Sequence, residues 1–331
     1  MRILKQIGLA VGLVSVVALA GSATAHELQP VTFAQPSPSA INSFPVFVAI
    51  GEGFFEDEGL DVTVESVNGS ASVLQAMSAG RADFGRPGPG PVLNARARGA
   101  DVVFIYNVAA RSNFGILVQD DSEYQAPTDL KGTTVGVGTA DGAEVSFAKA
   151  VLEGAGMKEG NDFEFLPVGD GGPATAAFMR GDVSAYAAST ADGAIMSQRG
   201  LSMRDITPDE QKSLFGNGLA TMRGTLDSDP ELVAKFVRAF RKGHEFALDD
   251  ANREAVLAHL AAGMPQESED ADFAAALFNA VRSKTVPVDE TKPLGYQPHA
   301  MWERWAEIVK PGLSGDLGDL NAAYTNDFAS Q

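Results

Sequence analysis

The residues able to do chemistry cluster in short loops rich in Gly, Ser, Thr, Asn and Pro. Six such loops recur, at 37–43, 68–70, 86–90, 138–142, 169–172 and 189–192. Each stands where an apolar, strand-like stretch gives way to a helix-like one. Several run straight into a helix N-terminus, where free backbone N–H groups and the positive end of the helix dipole face whatever lies there. Glycine lets the backbone approach a ligand closely. Ordinary strand-to-helix turns use the same residues, so no single loop marks a site. Six of them with so little charge between them point to a cleft that holds a polar group or an anion. Arg86 sits inside one loop, and Arg111 falls between two similar halves of the chain. A guanidinium there suits a carboxylate or sulfonate, or, for Arg111, a salt bridge between the halves. Asp141, Asp170 and Asp192 each follow a strand-like stretch. Such residues cap helices or accept from an amine or cationic ligand.

Other chemistries find no support. The chain has no cysteine, which excludes disulfides, thiolate zinc sites, Fe–S clusters and a cysteine nucleophile. Its four histidines, His26, His244, His259 and His299, have no second histidine at ligand spacing on a helix, so no metal site is expected. Gly136-x-Gly138-x-x-x-Gly142 resembles a dinucleotide fingerprint, but its last glycine comes one residue late and no ribose-binding acid follows. No phosphate loop, nucleophile elbow or zinc-protease motif occurs, so neither a cofactor nor an enzyme activity is expected. The formal charge of −18 opposes nucleic-acid binding.

These loops need a scaffold. A chain of 331 residues is long enough for two domains. Residues 1–25 read as a secretory signal: Arg2 and Lys5, an apolar run over 7–20, then Ala23-Thr24-Ala25 before the cut. Its removal leaves the remainder more negative still. The expected product is exported and periplasmic, and begins at His26.

From Val31 to about Asp205, short apolar strands alternate with helices, the order of an α/β fold with mainly parallel sheets. Strands are expected over 31–34, 60–67, 82–85 and 102–106, and again over 134–137, 163–168 and 183–187. Helices are expected over 44–58, 72–78, 91–98, 143–152 and 174–179. The same plan thus appears twice. After 219–222, one more strand, the chain turns helical, with 283–298 a loop holding three prolines. Trp302 and Trp305, three apart on one helix, read as core.

Certain longer patterns resemble a known family. Gly53-Phe54-Phe55, Glu58-Gly59-Leu60-Asp61-Val62 and Ala79-Gly80-Arg81-Ala82-Asp83-Phe84-Gly85 carry the likeness. Asp129-Leu130-Lys131-Gly132 and Gly181-Asp182-Val183 add to it. The chain is similar to extracytoplasmic solute-binding proteins of ABC importers for nitrate, sulfonates, taurine and thiamine precursors. The resemblance covers about Val31 to Leu248. It implies the two-lobed type II periplasmic-binding-protein fold, each lobe a mainly parallel sheet flanked by helices, with extra C-terminal helices. The first lobe would comprise 26–110 and 214–331, the second 111–213, and ligand would bind between them. Its contacts would come from Ser39, Asn42, Phe44, Asn68, Gly69, Ser70, Arg86 and Pro87 on one side. Thr139, Asp141, Gly169, Asp170, Ser189, Thr190 and Asp192 would supply the other, with Arg111 at the hinge. The implied partners are a small molecule, a permease and its ATPase, and the implied state is monomeric. An anion such as a sulfonate or aromatic carboxylate is the leading ligand. A thiamine-precursor pyrimidine or another neutral or cationic heterocycle is the alternative. A receptor-coupled sensor or a secreted hydrolase would be other uses of the same architecture. The cysteine-rich motif of related thiamine-pyrimidine-forming enzymes is absent.

Overall fold

In the residues described, 27–329 of this computed structural model, ten strands form two five-stranded sheets. The expected signal segment and the cut after Ala25 lie outside the described residues. The first sheet holds β1 (Gln29–Gln35), β2 (Leu60–Ser66), β3 (Phe84–Gly85) and β4 (Val102–Tyr106). The second holds β5 (Phe114–Gln119), β6 (Thr133–Val137), β7 (Phe163–Pro167), β8 (Ala185–Ser189) and β9 (Met203–Asp205). The chain then returns, and β10 (Leu219–Met222) completes the first sheet. The orders are β2-β1-β3-β10-β4 and β7-β6-β8-β5-β9. β10 runs antiparallel to β3 and β4, and β5 antiparallel to β8 and β9. These two reversed strands are the ones that follow the two crossings between sheets. The fold is the two-lobed α/β architecture of periplasmic binding proteins.

Local sequence explains the elements. Val102–Tyr106 is an unbroken apolar run, and all five residues are buried, as a strand covered on both faces requires. Pro230–Leu248 starts with proline in its first turn, and the Asp229 carboxylate accepts the Leu232 N–H. Its Phe236 stacks on Phe84 at 3.9 Å between ring centroids and also meets Phe33 and Phe55. A second core joins the lobes: Trp302 and Trp305 of helix His299–Val309 pack with Phe104 from the first sheet and Phe147 from the second-lobe helix Ala143–Leu152. Each indole N–H is satisfied, Trp302 by Gln297 Oε1 and Trp305 by the Phe215 carbonyl.

Some elements differ from expectation. The single helix over 44–58 is broken into Phe44–Gly51 and Phe54–Asp57, because Gly53 adopts a left-handed φ of 76° between them. β5 and β9 were not expected. β5 lies just past the crossing, in a stretch to which no element was assigned, and β9 is three residues long, too short for a period to show.

Candidate functional site

The loops that end the parallel strands of both sheets converge on one cavity of about 290 Å³. That is the carboxyl-end position where open α/β sheets bind ligands. From the first lobe come Ser39, Asn42, Gly69, Ser70 and Arg86. From the second come Thr139, Asp170, Ser189 and Asp192. The lobes meet at the cavity rim: Gly69 has φ +78°, and a Cβ there would lie 2.8 Å from Thr139 Oγ1. Helix Pro89–Ala97 likewise abuts helix Ala143–Leu152 through Gly88, where a Cβ would lie 2.4 Å from that of Ala143.

Other expected contacts fall elsewhere. Phe44 does not line the cavity. It is fully buried, edge-on to Phe278 and His244 at 5.5 and 5.4 Å, because its helix turns it into the first-lobe core. Arg111 is spent on the crossing: its Nη1 donates to the Val286 carbonyl at 3.0 Å and its backbone N–H to the Lys284 carbonyl. Asp141 is exposed and borders a groove on the other side of its loop. Asn68, Pro87, Gly169 and Thr190 are absent from the cavity wall. The Gly169 carbonyl accepts from Tyr186 Oη, and the Thr190 N–H bonds the Asn113 carbonyl.

Lining residues that the sequence reading missed include Asn113, Phe114, Glu144, Ile195, Asn217 and Glu267. Glu144 carried a signal, since it is an acid in the first turn of the helix after loop 138–142. Asn217 had only its glycine neighbours, Gly216 and Gly218, as a mark. Glu267 comes from the helical C-terminal part and accepts the Ile41 N–H at 3.1 Å, tying that part to loop 37–43.

Hydrogen bonding divides these groups into those already engaged and those free. Asp192 Oδ1 accepts the Gly171 N–H at 2.9 Å, and Oδ2 accepts the Ser189 N–H and O–H at 3.0 and 2.7 Å. It therefore ties two cleft loops together. Glu144 Oε1 accepts both the N–H and the hydroxyl of Thr139 at 2.9 and 3.1 Å, holding a third loop. Asp170 is less committed, with one oxygen taking the Tyr186 hydroxyl at 3.2 Å. On the facing wall, Arg86 Nε donates to Ser43 Oγ at 3.1 Å, and the guanidinium has no ion pair among the described residues. Asn217 Nδ2 donates to the Arg86 carbonyl at 3.2 Å, while Asn217 Oδ1 is buried with no partner among the described residues.

The electrostatics follow from burial. Desolvation pushes Glu144 up to about 7. Asp192 rises to about 6, first through burial and then through the charge of Asp170. Burial also raises Asp170 and pulls Arg86 down to about 10. Among the described residues the cleft thus holds the desolvated Arg86 on the first lobe, the carboxyls of Glu144, Asp170 and Asp192 on the second, and that of Glu267 from the C-terminal part.

A model of known families matches residues 40–254, and its description is NMT1/THI5 like. The chain belongs to the NMT1/THI5-like family. Within reach of this family chain is the riboflavin-binding protein RibY of Chloroflexus aurantiacus, 26% identical over 311 residues, which span 91% of this chain and 86% of that one. The formylaminopyrimidine-binding protein of Halalkalibacterium halodurans is 28% identical over 99 residues, 30% of each chain. In three dimensions the NMT1/THI5-like chain is similar to the alkanesulfonate-binding protein SsuA of Xanthomonas axonopodis pv. citri, solved bound to MOPS. The TM-score is 0.71 at 19% identity, over 91% of this chain and 99% of that one.

Proposed function

We propose that this protein is the solute-binding component of an ABC importer, exported from the cytoplasm, whose cleft takes a neutral nitrogen heterocycle with a lactam-like edge. One observation carries the ligand class. Arg86 lacks a counter-ion and Asn217 Oδ1 lacks a donor, and the two residues are joined by a hydrogen bond on one wall. A C=O beside an N–H answers both, the carbonyl accepting from Arg86 and the N–H donating to Asn217. Asp170, from the other lobe, suits a second N–H, so one ligand bridges the lobes and favours their closure. Phe114 and Ile195 offer apolar surface to a flat ring.

The anion reading loses ground on two counts. Arg111 lies outside the cavity, and an anion would face the Asp170 and Asp192 carboxyls, whose ionisation burial already disfavours and a further negative charge would disfavour more. Riboflavin and a formylaminopyrimidine, the ligands in the names of two relatives, both set donors beside acceptors on a flat ring. Delivery to a permease and its ATPase is the role that the family and the secretory-type leader support.

The test is a thermal-shift screen of flavins, pyrimidines, sulfonates, aromatic acids and nitrate, followed by calorimetry. Flavins or pyrimidines are expected to stabilise the protein. Arg86→Gln is expected to weaken the best of them about ten- to a hundredfold without lowering the melting temperature. Stabilisation by sulfonates or nitrate alone would overturn the heterocycle reading.

A further inference from the structure

A second cavity, of about 350 Å³, lies behind the crossings and shares no lining residue with the cleft. Its walls come from both crossing segments, Asn107 and Ala110 on one and Ser213 and Phe215 on the other. The proline-rich stretch 285–298 closes it. That stretch is strapped to the first crossing at both ends. The Asn107 N–H donates to the Gly295 carbonyl at 2.9 Å, and Arg111 Nη1 reaches the Val286 carbonyl.

Most of the wall is apolar and flat, with Phe215, Tyr296, Met301 and prolines 287, 293 and 298. One atom breaks the pattern. Asn107 is 5% exposed, and its Oδ1 is buried without a hydrogen-bond partner among the described residues, while its Nδ2 makes only a long contact of 3.5 Å to the Tyr296 carbonyl. A buried acceptor left unmet is costly, and a donor supplied from the cavity removes that cost. Asp289 and Lys292, one of each sign, share the rim, so the cavity favours no net charge.

We propose that this cavity is a second small-molecule site, for a neutral aromatic ring carrying one hydrogen-bond donor directed at Asn107 Oδ1. The volume suits one or two rings, and aromatic and thioether surfaces pack well against them. Because both crossings form its walls, an occupant that fits one arrangement of the lobes better than another shifts cleft affinity by linkage.

The experiment uses amide spectra of the mature full-length chain titrated with phenol and with anisole, which has the ring but no donor. Phenol is expected to shift the Asn107, Ala110 and Gly295 signals saturably. It should bind about three- to tenfold more tightly than anisole, the worth of one hydrogen bond. Asn107→Leu should remove that preference. Ser213→Trp places a ring at the exposed rim and should abolish binding of both probes, which keeps the test decisive if Asn107→Leu does not fold. Equal affinity for phenol and anisole, no saturation, or shifts confined to Phe114 and Ile195 in the cleft would overturn the proposal.

Discussion

Asp192→Asn is expected to reverse the sign of its effect on stability between acid and neutral pH. The carboxylate is 5% exposed and accepts three hydrogen bonds, yet no cation among the described residues pairs with it, and Asp170 shares its cavity. Burial and that neighbour raise it from 3.8 to about 6. The folded chain therefore binds this proton more tightly than the unfolded chain does. Stability from this group is full below the unfolded value, falls as pH rises, and is gone above the folded one. The loss is roughly 2–3 kcal/mol. Asparagine cannot ionise, so it escapes that loss. It keeps an acceptor for the Gly171 N–H but turns an NH₂ towards the Ser189 N–H, at a cost of about 1 kcal/mol. Near pH 7.5 the ligand-free variant should thus be the more stable by about 1–2 kcal/mol. Near pH 4 the wild type should lead by about 1 kcal/mol. Urea unfolding at the two pH values measures both differences, and the melting temperature should follow by a few degrees. A variant destabilised equally at both values would show that the buried carboxylate is fully compensated, and the reasoning would fail.

Two further substitutions probe the cleft geometry. Gly69→Ala puts a Cβ 2.8 Å from Thr139 Oγ1 at a φ of +78°, so the lobes should close less fully. X-ray scattering with ligand should then give a larger radius of gyration, calorimetry about tenfold weaker binding, and added Thr139→Ala should restore part of the closure. Arg111→Ala should lower stability by about 1 kcal/mol through its lost bond to the Val286 carbonyl. Ligand affinity measured alongside should stay within about twofold, and a large loss would return Arg111 to the site.

The alternation of strands and helices was enough to read an α/β fold with one plan used twice, because buried parallel strands such as Val102–Tyr106 are continuous apolar runs with loops between them, and the two lobes came from the family resemblance. The loops were legible for the same reason, and nine of the residues expected in the site do line the cavity. What failed was the direction of individual side chains. Phe44 sits at the edge of a cleft loop, but one helical step decides whether it faces ligand or core. Arg111 lies on the crossing between the two sheets, yet its partners lie in the loop 283–298, far along the chain. Asp192 was legible as a cap and as a ligand group; its three hydrogen bonds tie it to Gly171 and Ser189, and it lines the cavity as well. Glu267 depends on a contact 226 residues away in sequence, which no local pattern encodes.

The reversed strand β10 has a consequence for how the molecule is assembled. It is a central strand, between β3 and β4, and it is synthesised only after the whole second sheet. The second lobe is one contiguous stretch from β5 to β9, so its strands can pair as soon as they emerge. The first sheet has a gap until residues 219–222 arrive, and β3, two residues long, cannot bridge it by itself. Helix Pro230–Leu248, which brings Phe236 onto Phe84, comes later still. The half of the protein nearest the N-terminus is thus the last to be finished. A chain cut short before β10 should leave an ordered second lobe attached to an open, adhesive sheet edge.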